Sequence, residues 1–206
     1  MSLGAADAQA FERVVASAGV AVFPADTVYG LACDPCSPAA VKRLYELKGR
    51  PAARPAAVMF FTREGALAAL PEVGPRTQTA LLALLPGALT VLLANPQGRF
   101  ALACGPDPGT LGLRVPALTP AIAALGAVRL PVLQSSANPS GSPDARTLHA
   151  VDAAIRVGAD LALDGGELPG TPSTVLDLRA YEDGGHWRVA RAGAVKLDAL
   201  ARVLGY

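Results

Sequence analysis

Glycine and proline, 21 and 18 of the 206 residues, break this chain into short helical and extended pieces, and those breaks limit what it can fold into. Behind Asp7, which can cap a helix, Phe11, Val14, Val15 and Ala18 follow helical spacing until Gly19 stops it. Ser37-Pro38 is a strong helix start, and Val41, Leu44, Tyr45 and Leu47 share one face up to Gly49. Thr62 and Pro75 open two more helices, Thr119-Pro120 one that ends near Gly126, Thr147 another, and residues 196–204 form the last. Residues 20–23, 56–61, 89–94, 112–115, 132–134, 161–163, 174–178 and 187–191 read as short strands. Helices this short beside so many strands predict one α+β domain, α/β in type, spanning residues 1–206, with a mixed sheet flanked by helices.

Several classes of protein are excluded on the same grounds. The most apolar run, residues 80–94, is shorter than a membrane span and is interrupted by Pro86-Gly87, so no membrane association is expected. Residues 1–10 carry no basic residue ahead of an apolar stretch, which is unlike a secretory signal and makes a cytoplasmic protein the default. Cys33, Cys36 and Cys104 are too few and odd in number for a disulfide framework, and Cys33-Asp34-Pro35-Cys36 has no second pair to complete a zinc site, so no protein metal site is expected. With 18 Lys+Arg against 17 Asp+Glu, the chain lacks the basic excess of a protein that grips many phosphates of a nucleic acid.

Chemistry concentrates in polar segments expected at the ends of buried strands, where ligand sites of open sheets commonly lie. Residues 23–31 hold Asp26, Thr27 and Tyr29 in a turn between apolar pieces. Lys48-Gly49-Arg50-Pro51 ends a helix, where cations suit the helix dipole. The lysine point charge and the arginine fork, two residues apart, can equally clamp a polyphosphate. Both are loop residues, so alanine there should cost more activity than stability. Residues 134–143 gather hydroxyls and the Asn138 amide after a strand, a set that can hold phosphate oxygens without adding charge. Arg114 and Arg191 end short strands beside glycines and can receive a carboxylate or phosphate. No nucleophile stands with a base. His149 and His186 read as surface or core residues, and the polar inventory suits positioning and charge neutralisation, as in phosphoryl or nucleotidyl transfer.

Seven pieces taken in order resemble the YrdC-type threonylcarbamoyl-AMP synthases: residues 24–31, Lys48-Gly49-Arg50-Pro51, Pro86-Gly87-Ala88-Leu89-Thr90, Arg114-Val115-Pro116, residues 136–141, Ser173-Thr174-Val175 and Arg191-Ala192-Gly193. The resemblance implies a twisted mixed sheet and an enzyme that joins L-threonine, bicarbonate and ATP, with Mg2+, into threonylcarbamoyl-AMP and pyrophosphate. That product feeds the threonylcarbamoyladenosine modification of tRNA, so later transfer proteins are implied partners. It further implies that Lys48 and Arg50 hold the phosphates, that Ser136, Asn138, Thr110 and Arg191 complete the ATP site, and that Arg114, Thr27 and Ser173 hold threonine, Arg114 by its carboxylate.

Two residues depart from the family pattern. Ala25 stands where a hydroxyl is usual and Met59 where many members carry histidine; both concern the amino-acid side. The competing expectation is an RNA-binding or ribosome-maturation module of the same fold. Near-neutral charge and sparse aromatics leave at most weak RNA binding.

Overall fold

The computed structural model describes residues 2–51 and 54–205. Its elements run α1 (Ala5–Ala16), β1 (Ala21–Pro24), β2 (Tyr29–Cys33), α2 (Pro38–Leu47), β3 (Ala57–Met59), α3 (Arg63–Ala69), α4 (Pro75–Leu84), β4 (Leu89–Ala94), α5 (Ala101–Cys104) and β5 (Thr110–Arg114). A 3-10 helix (Pro120–Ala127), β6 (Val132–Ser136), a 3-10 turn (Leu148–Ala150), α6 (Ala153–Gly158), β7 (Leu161–Ala162), β8 (Thr174–Asp177), α7 (Tyr181–Gly184), β9 (Arg188–Arg191) and α8 (Leu197–Leu204) follow. Among the described residues no helix is long and apolar enough to cross a membrane.

The strands join in one sheet of order β7-β1-β2-β6-β3-β5-β4-β8-β9. The β1–β7, β3–β5 and β4–β8 pairs are parallel and the rest antiparallel, so the sheet is mixed, as the short helices predicted. Period-two alternation divides the core between its two faces. In β1, Ala21 and Phe23 join one cluster, where Phe11 of α1 and Ile122 and Leu125 of the 3-10 helix cover them, and Val22 joins the other. Phe11, Phe23 and Phe61 meet with ring centroids 5.1 to 6.3 Å apart. Against the opposite face lie Val41, Leu44 and Tyr45 of α2, Leu81 of α4 and Leu200 of α8.

Three local expectations need correction. The α1 cap is Gly4, not Asp7; Asp7 sits in the first turn, where its carboxylate accepts the Gly4 N–H at 2.8 Å. The helix expected from Thr147 is a single 3-10 turn, because Asp152 accepts the Ala154 N–H at 2.8 Å and starts α6 afresh. Residues 23–31 are not all turn: Tyr29 begins β2, which runs between β1 and β6. Both faces of β2 are buried, so it shows no polar alternation, and Gly30 weakens its strand signal.

Candidate active site

A cavity of about 450 Å³ lies across one face of the sheet rather than in loops alone. Much of its wall follows the two-residue period: Thr110, Gly112 and Arg114 from β5, Thr90 and Leu92 from β4, Gln134 and Ser136 from β6, Val175 from β8, with Ser135 of β6 reaching it as well. The middle of the floor is Ala57 and Gly112, which are register partners. These small residues leave the face hollow where larger ones would fill it. A Cβ on Gly112 would meet nothing nearer than 3.5 Å, so the glycine is required by neither a clash nor a left-handed backbone. Loops close the rim with Thr27, Arg50, Asp107, Asp144 and Ser173, and Arg191 joins them from the end of β9.

One half of the cavity is built on a buried ion pair. Arg114, 4% exposed, donates from Nη2 to Asp26 Oδ1 at 2.6 Å and to Thr27 Oγ1 at 3.4 Å. Its Nη1 donates to Gln134 Oε1 at 3.0 Å, while its Nε has no partner among the described residues. Asp26 is fixed from behind by the Ala117 N–H at 3.2 Å. Burial raises the Asp26 carboxyl and lowers the Arg114 guanidinium, and each opposes the other's shift through its charge. The tight hairpin between β1 and β2 carries Asp26 and Thr27 to this spot, and its base is clamped by Tyr29, whose hydroxyl donates to Gly166 O at 2.8 Å.

The other half keeps its cations free of carboxylate partners. Arg50 donates from Nη1 to Ser135 Oγ at 2.7 Å and from Nη2 to Pro55 O, lies over the Tyr45 ring at 5.5 Å, and makes no salt bridge among the described residues. Arg191 likewise meets only neutral oxygens, Ser173 O at 2.8 Å and Ser173 Oγ at 3.4 Å, and the Ser173 hydroxyl pairs with Thr90 Oγ1 at 2.9 Å. Lys48 stands behind the wall, 3% exposed. Its Nζ donates to Asn138 O at 2.7 Å, Asn138 Oδ1 at 3.2 Å and Ser136 O. Ser136 Oγ donates to Asn138 Oδ1, and Asn138 Nδ2 donates to Ser142 O. Burial, reinforced by the like charge of Arg50, pushes Lys48 down to about 8.

Seven residues named from the sequence, Thr27, Arg50, Thr110, Arg114, Ser136, Ser173 and Arg191, thus meet around one cavity. Lys48 and Asn138 do not line it; they hold Ser136 in place from one layer deeper. Lys48 is therefore not the loop residue that its position suggests, because its three bonds join the end of α2 to the last residue of β6 and the segment after it. Ala25 and Met59 are fully buried in the core cluster of Phe11 and Phe61 and do not line the cavity either. The hydroxyl that touches Arg114 is that of Thr27, and the hydrogen-bonded Thr90–Ser173 pair lines the same cavity. Two further wall residues, Gln134 and Thr90, and Asp26, which pairs with Arg114 without lining the cavity, carry no role in the sequence reading. The β5 spacing Thr110-x-Gly112-x-Arg114 carried the signal that a sheet face, not a loop, bears the site.

The Sua5/YciO/YrdC family profile, described as telomere recombination, matches residues 13–193. A Xanthomonas campestris pv. campestris protein named threonylcarbamoyl-AMP synthase is 35% identical over 84% of this chain and 94% of its own length. A Pyrococcus abyssi protein of the same name is 30% identical over 89% of this chain; the chain spans only 53% of that relative. The crystal structure of P. abyssi Sua5 complexed with L-threonine superposes with a TM-score of 0.82 at 26% identity, covering 100% of this chain and 59% of that one. The chain belongs to the Sua5/YciO/YrdC family.

Proposed function

We propose that this protein is an L-threonylcarbamoyl-AMP synthase, a nucleotidyltransferase that serves threonylcarbamoyladenosine formation in tRNA. The observation that carries the reading is that one cavity holds an arginine paired with a buried carboxylate, Arg114, and two cations, Arg50 and Arg191, that have no acidic partner among the described residues. Relatives named for this activity and a threonine complex of a family member support it.

The threonine amine takes up bicarbonate with loss of water to give a carbamate. A carbamate oxygen then attacks the α-phosphorus of ATP, and the bond to the β-phosphate oxygen breaks to release pyrophosphate. Arg114, Thr27 and Ser173 hold threonine by its carboxylate and hydroxyl, so that the amine faces the phosphates. Arg50, Arg191, Ser136 and Thr110 receive the nucleotide, and Asn138 fixes Ser136. Lys48, held by three neutral acceptors, adds its charge to that of Arg50 from behind the wall, where burial keeps bulk water from screening it. Among the described residues no group of three or more His, Cys, Asp or Glu could cage a metal. The cavity wall does offer Asp107 and Asp144, which fits a hard cation that arrives on phosphate oxygens and keeps much of its water. Mg2+ held there by the triphosphate and one of these carboxylates would neutralise the departing pyrophosphate. Supply of threonine, bicarbonate and ATP agrees with a cytoplasmic setting, and the later transfer proteins would receive the adenylate.

The test is to incubate the protein with ATP, Mg2+, bicarbonate and L-threonine, to measure pyrophosphate, and to weigh the product by mass spectrometry. Release that requires both threonine and bicarbonate, with the adenylate as product, is expected. Release indifferent to threonine would sink the assignment.

A further inference from the structure

The Gln134 side chain has a chemical task that the pairing of Arg114 with Asp26 leaves open. A guanidinium carries only donors, so the contact between Arg114 Nη1 and Gln134 at 3.0 Å must be made by the amide oxygen. That fixes the amide orientation and leaves Nε2, with two N–H groups, on the other side. Among the described residues Nε2 makes no hydrogen bond, and unlike Arg114 Nε it is not sealed from the cavity that Gln134 lines. Gln134 is 4% exposed, so its amide does not serve bulk solvent. Gly30 opposite provides the room: a Cβ there would lie 2.7 Å from Nε2. Asp26 already offsets the charge of Arg114, so an incoming carboxylate gains little from net charge at this point. A neutral donor beside the guanidinium adds attraction for a carboxylate without a further buried charge.

We propose that Gln134 is a specificity-determining residue of the amino-acid subsite: its Oε1 fixes Arg114 and its Nε2 donates to the substrate α-carboxylate. This rests on the threonine-activating reading of the cavity and adds to it a group that selects a free carboxylate. The acceptor and donor tasks separate in a thermodynamic cycle with L-threoninamide, which lacks the carboxylate. Binding of L-threonine and L-threoninamide is measured by calorimetry for the wild type, Gln134→Met and Gln134→Glu, beside threonine-dependent pyrophosphate release and the melting temperature. Gln134→Met should weaken threonine about tenfold or more while changing threoninamide less than about threefold, the range of one hydrogen bond to a charged group. Gln134→Glu keeps an acceptor for Arg114 but turns the donor into a second carboxylate, and should weaken threonine further, with the KM for ATP unchanged. Equal losses for both ligands would show that Gln134 acts only through the fold and would overturn the proposal, as would unchanged threonine affinity in either variant. If the wild type binds threonine but releases no pyrophosphate, the function falls while the binding cycle still judges Gln134. If it does not bind threonine, both fall.

Discussion

The two halves of the cavity hold their arginines in opposite ways. Arg114 is buried against a carboxylate, so Asp26 cancels its charge and fixes its direction. Arg50 and Arg191 are held by neutral hydroxyls, carbonyls and an aromatic face, which fix direction without cancelling charge. The difference matches what each half must bind. A single carboxylate needs shape and aligned donors, whereas a triphosphate needs positive charge that remains available. Lys48 extends the second pattern one layer inward, with three neutral acceptors and no ion pair among the described residues.

That contrast can be broken most severely at the paired half. Arg114→Met strands the Asp26 carboxylate in the interior and should cost about 3–5 kcal/mol in urea unfolding as well as threonine turnover. Adding Asp26→Asn should recover most of the stability and none of the turnover; if stability does not return, the pair is not what the substitution disturbs. At the unpaired half, Arg50→Ala should lower kcat/KM for ATP by about 100-fold, with only about 1 kcal/mol lost from stability because no partner charge is stranded. Lys48→Ala should differ by losing about 1–3 kcal/mol of stability too, since it leaves buried acceptors unpaired. Equal melting temperatures for the two alanine variants would refute the distinction between a lining and a supporting cation.

Outside the cavity, Asp177 is a paired control. Its carboxylate is held down to about 2, from 3.8, chiefly by hydrogen bonds from Arg179, with Arg188 adding to them. A depressed carboxylate stabilises the fold above its unfolded pKa and loses that contribution as pH falls through the folded one. Asp177→Asn should therefore cost about 1–2 kcal/mol at pH 7, a gap that closes between pH 4 and pH 2. A gap independent of pH would mean that the ion pairs contribute nothing. The smallest effect is expected at Ala25→Thr. The new hydroxyl would enter an apolar cluster and cost about 1 kcal/mol without tightening threonine. A gain in threonine affinity would place residue 25 at the ligand after all.

How much of this was legible follows the same physics. Gly, Pro and cap residues located most helices and strands, because those signals are local. The first residues of β2 fall in the segment that reads as a turn, since burial on both faces erases alternation, and the cap of α1 lies three residues before the expected one. The charged site residues stood out by type and motif. Gln134 and Thr90 did not, because a neutral polar residue inside a strand has no meaning until the sheet brings Arg114 or Ser173 beside it. Lys48 was recognised by type, but its depth was hidden, because the segment that buries it lies about ninety residues further along the chain.

The central claim is that phosphate binding and amino-acid binding rest on differently held arginines. Its most direct test is calorimetry of ATP and of L-threonine, each alone, on the wild type, Arg50→Ala and the Arg114→Met/Asp26→Asn pair. The account predicts that Arg50→Ala weakens ATP by about 100-fold and threonine by less than about threefold, and that the double variant does the reverse. Parallel losses of both ligands in both proteins would contradict it.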